Sequence, residues 1–169
     1  MFNALAKILE RINRPIGLIG SHFAGMLLAL MTLIVLASVG FRYILGSPFA
    51  WSDELSRFLM IYMTYACLPI IYQENKNIAM TFLLDRLIGT RLLHIAMASI
   101  HIISIALFSF WIKYGMLFFH KGAVMADSLP VPMYYVYIVP PLLMSLTILS
   151  MVQMLFNELG LLINYKKAR

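Results

Sequence analysis

Charge is scarce in this chain. Only 12% of its 169 residues are Asp, Glu, Lys or Arg, whereas 62% are hydrophobic. An ordinary globular domain is about half apolar and about a quarter charged. A soluble fold of this length cannot hide the excess, so the surplus apolar side chains face lipid. Cysteine is nearly absent: the single Cys67 excludes an internal disulfide. No Walker-type glycine loop occurs, which removes the usual seat for nucleotide hydrolysis. The net charge of +6 contains no run of like charges. That pattern fits basic flanks of membrane spans and gives no nucleic-acid surface. No internal repeat, low-complexity tract or linker divides the chain, so it reads as a single membrane domain over residues 1–169.

Acids are the scarcest charges, and their positions matter. Glu10, Asp53, Glu54, Glu74, Asp85, Asp127 and Glu158 all lie outside the long apolar runs or at their ends. A path for ions or protons through a membrane usually needs an ionisable group in the interior. The pattern argues that the chain alone is not a pump, an ion-coupled carrier or a proton-driven exporter.

The apolar runs themselves define the fold class. No charge occurs from Pro15 to Phe41, a run longer than the roughly 20 residues a helix needs to cross the hydrocarbon. It is also longer than a signal-peptide core of about 7–15 residues, and is expected to be retained. The run Phe58–Gln73 is short until Ser52, Asp53 and Glu54 are added. Ser52 suits an N-cap, and acids in the first turn suit the positive end of the helix dipole. Leu92–Ile112 is a third uncharged run. Ser128–Asn157 is a fourth, with Pro130 and Pro132 at its start, where proline is tolerated, and Pro140 and Pro141 inside it. The expectation is an all-α integral membrane protein with spans over about 16–41, 52–73, 92–112 and 129–157.

Basic residues orient the spans. Lys7, Arg11 and Arg14 in the N-terminal tail, Lys76, Arg86 and Arg91 in the second loop, and Lys166, Lys167 and Arg169 in the C-terminal tail share one side. They outnumber Arg42, Arg57, Lys113 and Lys121 on the other, which places both termini in the cytoplasm. In "MFNALAKILERINR", Phe2, Leu5, Ile8, Leu9 and Ile12 share one helical arc, and Lys7, Glu10, Arg11 and Arg14 the opposite one. This predicts an in-plane amphipathic helix over about 2–14 on the membrane lipid surface. The segment Asn77–Gly89 reads equally as a second flat helix or a partly buried loop.

Three features invite a chemical reading. His94 and His101 are seven apart and share a helix face; with His22 they could serve a haem between helices. The bland reading makes His94 interfacial and gives His101 a hydrogen bond to a neighbouring helix. Gly17, Ser21, Gly25 and Ala29 recur every four positions, which suits close helix packing. The stretch "FRYILGSPFAWSDELSR" packs Arg42, a Gly-Ser-Pro turn, Trp51, Asp53, Glu54 and Arg57 into one outer hairpin. Helical spacing lets both acids reach Arg57, and Arg42 can reach either across the hairpin. A solvated cluster of this kind contributes under about 1 kcal/mol per pair. A partly dry one pins the hairpin and shapes a docking surface.

On these residues the chain resembles a family: the small membrane subunit, DctQ type, of tripartite ATP-independent periplasmic (TRAP) transporters. The resemblance rests on Arg42, Gly46, Ser47, Trp51, Glu54 and Arg57, then Ala66-Cys67, "ENKNI" and "LPVPMYYVYIVPPL". Asn77 stands where histidine is usual, which puts in doubt any role for that histidine. The resemblance implies a non-catalytic subunit with no cofactor of its own, in the bacterial inner membrane. Its implied partners are a large multi-span permease subunit, which carries substrate and sodium, and a periplasmic substrate-binding protein. Implied substrates are organic acids: dicarboxylates, sugar acids or sialic acid. Arg42, Trp51, Asp53, Glu54 and Arg57 are the candidate residues for holding the hairpin or meeting a partner. The rival readings are a haem-binding anchor of a redox enzyme and a self-contained small dimeric exporter.

Overall fold

A computed structural model of the chain describes residues 2–47, 49–74 and 91–164. They form four helices: α1 (Phe2–Ile44), α2 (Ser52–Gln73), α3 (Arg91–Lys121) and α4 (Tyr134–Asn164). All four are long and apolar enough to cross a membrane. The segment Asn77–Gly89 lies outside the described residues.

The expected break at Pro15 does not occur. α1 runs through Pro15 for 43 residues, about 65 Å at 1.5 Å per residue. That is roughly twice the hydrocarbon thickness of about 30 Å. The amphipathic segment expected over 2–14 is therefore the start of α1, not a separate element. Proline removes a hydrogen bond to the carbonyl four residues back, here that of Arg11. Arg11 is exposed, so solvent or headgroups can satisfy that carbonyl and the helix continues. At its far end α1 stops at Gly46, whose φ of 69° is the left-handed conformation that favours glycine.

The fourth span also shifts. Pro130 and Pro132 precede α4 instead of opening it, and α4 starts at Tyr134. The Met133 N–H donates to the Val124 carbonyl and the Ala126 N–H to the Val131 carbonyl, making a small antiparallel bridge between Met125 and Pro132. Pro140 and Pro141 lie inside α4 without ending it. α3 extends past Ile112 through Lys113 to Lys121, and α4 past Asn157 through Glu158. Helices outlast their uncharged stretch because backbone hydrogen bonding continues into the headgroup layer.

α4 is the common partner: it packs against α1, α2 and α3, while α1 packs along α2. One third of its most apolar stretch (33%) is buried, against 11% for α3. α1 and α3 therefore present most of their apolar side chains outward. The α1–α2 contact takes in Gly17 of the four-residue repeat but not Gly25. Asn13, Gly17, Ala24 and Leu27 are buried, and Gly20 meets the Ala66 backbone. A Cβ on Gly20 would stand 2.5 Å from the Ala66 carbonyl oxygen. Gly25 has open space instead, and lies with Ser21 and Ala29 on a shallow outward groove.

Gly20→Ala should lower stability in detergent by about 1–3 kcal/mol, because backbone must move to admit the methyl group. Gly25→Ala should be neutral or slightly stabilising, since alanine favours helix and nothing obstructs it. Denaturant-induced unfolding followed by circular dichroism distinguishes them; equal behaviour would contradict this packing.

Candidate functional site

The hairpin between α1 and α2 is held by three sets of contacts. Aromatic rings stack along it: Phe41 and Phe49 have centroids 4.5 Å apart, and Phe49 and Trp51 5.4 Å. Ser52 is the first residue of α2 and does not cap it; Trp51 holds the cap position with no side-chain bond. The Ser52 hydroxyl donates instead to the Phe49 carbonyl at 2.8 Å. Its proton is thereby used, so Ser38 of α1 donates to Ser52 Oγ, also at 2.8 Å. Both serines are buried, and they lock the end of α1 to the start of α2.

Glu54 makes the third contact. Its two carboxylate oxygens accept the backbone N–H groups of Asp127 at 3.0 Å and Ser128 at 2.7 Å. One acid of α2 thus holds the loop between α3 and α4, with charge-assisted bonds. The expected ion pairs with arginine do not form. Among the described residues no carboxylate lies within 4.0 Å of Arg42 or Arg57. Glu54 turns away from Arg57 because two backbone donors converge on it. Arg57 and Glu54 share the rim of a 330 Å³ cleft with Phe58, Asp127 and Tyr137. Arg42, Trp51 and Asp53 stay outside it, on the exposed surface. The structure therefore joins two of the five hairpin candidates and separates three.

A second polar cluster lies at the opposite end of the bundle. Asn13 of α1 is 1% exposed. Its Nδ2 donates to Gln153 Oε1 at 2.8 Å and to the Leu149 carbonyl at 3.0 Å, both on α4. Gln73 of α2 donates from Nε2 to the Asn13 carbonyl at 2.9 Å and to Ser150 Oγ at 3.0 Å. Three carboxamides and one hydroxyl thus tie α1, α2 and α4 together. α3 joins through its histidines. His101, buried, bonds through Nδ1 to the Tyr72 hydroxyl of α2. His94 Nδ1 pairs with Glu158 Oε2 of α4 at 2.7 Å.

Sequence reasoning looked for charges inside the spans and passed over this network. Its signal was present: Asn13, Gln73 and Gln153 are carboxamides in or at the ends of long apolar helices. Burying an amide without a partner costs about 1–3 kcal/mol, so three of them at one level imply mutual bonding. The three histidines of the haem reading bond to three different partners through Nδ1. His94 turns to Glu158, His101 to Tyr72, and His22 to the Leu18 carbonyl of its own helix at 2.7 Å. No group of three metal-ligating side chains occurs among the described residues.

A double-mutant cycle on Asn13→Leu and Gln153→Leu should show a coupling of about 0.6–1.7 kcal/mol, the range seen for interhelical bonds in membranes. Reversible unfolding in mixed micelles measures it. Strict additivity would mean that the two amides stabilise the bundle independently.

Comparison with known proteins follows the same geography. Residues 31–160 match the family model described as "Tripartite ATP-independent periplasmic transporters, DctQ component". The match takes in the hairpin, α2, α3 and most of α4. A TRAP transporter small permease protein of Haemophilus influenzae is 31% identical over 61 residues, 36% of this chain and 38% of that protein. The sialic acid TRAP transporter small permease protein SiaQ of Vibrio cholerae is 31% identical over 61 residues, 36% of this chain and 35% of that protein. The aligned stretch thus spans little more than a third of either relative.

Proposed function

Because the chain belongs to the DctQ component family of tripartite ATP-independent periplasmic transporters, we propose that it is the small permease subunit of a sodium-coupled, binding-protein-dependent importer of organic acids. The family match over residues 31–160 carries this reading. The bundle supports it. Among the described residues, the ionisable groups inside the helical packing bond to each other: His101 to Tyr72 and His94 to Glu158. A coupling site would need such groups free to bind ions or substrate. Coupling and substrate binding therefore belong to a larger multi-span partner subunit. The Vibrio relative's name points toward sialic acid within the organic-acid class.

The same reading places both termini in the cytoplasm and the chain in the bacterial inner membrane. The start of α1 then reaches into the headgroup layer, with Leu5, Ile8 and Ile12 exposed toward lipid. The outer hairpin faces the periplasm. Arg42, Trp51, Asp53, Glu54 and Arg57 would shape it, Glu54 from within and the other four on its surface. Arg57, with no acid partner among the described residues, offers the large subunit or the binding protein a guanidinium at a cleft mouth.

Affinity capture of this chain from native membrane should bring down a much larger, many-span protein. Arg57→Ala should reduce that recovery about tenfold, the effect of one interface anchor. Glu54→Ala should reduce it too, by releasing the loop at Asp127 and Ser128. Unchanged assembly and uptake in both variants would remove the hairpin from the interface.

A further inference from the structure

A cleft of 330 Å³ opens beside the carboxamide network, between α1, the end of α2 and the last part of α4. Its polar wall holds Glu10, Arg14, Gln73, Glu74, Gln153 and Asn157; Leu18, Ile70 and Met154 form the apolar side. The transport reading gives it no role.

Its bonding capacity is unfilled. Gln153 is only 4% exposed, and its Oε1 accepts from Asn13. Its Nε2 carries two hydrogens and meets no acceptor among the described residues, yet the residue lines the cleft. Gln73 uses Nε2 for Asn13 and Ser150, which leaves Oε1 as an unused acceptor among the described residues. Glu10 and Arg14 are four apart on α1, and both line the cleft. Among the described residues neither lies within 4.0 Å of an opposite charge.

These groups define the ligand. A guanidinium beside an amide donor, at the basic end of a membrane bundle, suits a phosphate. Two carboxylates, Glu10 and Glu74, line the same cleft; they repel a bare phosphate and attract an ammonium. A ligand carrying both charges satisfies both. The volume is at the small end for ligand pockets, enough for a headgroup and not for acyl chains. Leu18 lines the cleft and is 45% exposed, which gives the chains an apolar exit.

We propose that this cleft binds the phosphoethanolamine headgroup of a membrane phospholipid, with phosphate on Arg14 and Gln153 Nε2 and the ammonium on Glu10. The lipid then joins the start of α1 to α2 and α4. This inference needs only that the chain crosses a bilayer, and does not depend on the transport reading.

Native mass spectrometry of the full-length chain in detergent, with added phosphatidylethanolamine or phosphatidylglycerol of equal chain length, tests it. The ethanolamine lipid should be retained about tenfold better. Arg14→Gln should abolish retention of both lipids. Glu10→Gln should reduce the preference several-fold while keeping phosphatidylglycerol. Both side chains are exposed, so thermal unfolding should be unchanged in the variants. Equal retention of the two lipids, or Arg14→Gln retaining the ethanolamine lipid, would overturn the proposal. Free phosphoethanolamine separates the sources. Displacement of bound lipid only at large excess supports the lipid. Tight binding to delipidated protein overturns the lipid and gives the cleft to a soluble solute.

Discussion

Lipid offers no hydrogen bonds, so polar groups inside a membrane bundle must find partners within it. This constraint organises the molecule around α4. Leu149, Ser150, Gln153 and Glu158 of that helix receive bonds from α1, α2 and α3 in turn. Apolar contact alone would not select these neighbours, because hydrocarbon tails are as greasy as leucine. Close backbone approach supplies the rest of the specificity. Gly20 lets α1 lie on the Ala66 carbonyl, and Gly115 of α3 fits against Pro141 of α4.

The two ends of the bundle do different work. At one end carboxamides and histidines bind helix to helix through buried side chains. At the other, the connections are bound: Ser38 to Ser52, and Glu54 to the backbone at Asp127 and Ser128. Glu54 holds the loop with both carboxylate oxygens, and Arg57 stands at the cleft rim without an acid partner among the described residues. A salt-bridged cluster would have neutralised that arginine. The loop contact instead leaves a guanidinium without a described acid partner at the cleft rim, where a partner can use it.

The four helices were legible because an apolar run long enough to cross the hydrocarbon has hardly any place in a folded chain except across a bilayer. The bounds of α2 were legible to the residue, since Trp51, Asp53 and Gln73 bracket it. The ends of α1, α3 and α4 were not. Helical hydrogen bonding carries through Pro15, Lys113 and Glu158, whereas charge and proline mark the edges of an uncharged run without ending a helix. The packing face of α1 was not legible because Gly17-Ser21-Gly25-Ala29, spaced by four, and Asn13-Gly17-Gly20-Ala24, spaced by four and three, share a residue and both suit helix packing. Only the position of Ala66 decides between them. The ion pairs expected at Arg57 failed because the sequence does not reveal that a distant loop brings two N–H groups to Glu54. The family resemblance, resting on that same hairpin, agrees with the match over residues 31–160.

The buried amides and histidines of this bundle hold helix to helix, while polar groups without a partner among the described residues stand at its two clefts. On the proposed reading, such a chain contributes shape and surface to a transporter, and no route for solute. Reconstitution into proteoliposomes tests this most directly: labelled organic acid is offered to the chain alone, and to the chain with its large membrane partner and binding protein. The account predicts sodium-dependent uptake by the assembly and none by the chain alone. Saturable uptake by the isolated chain would contradict it.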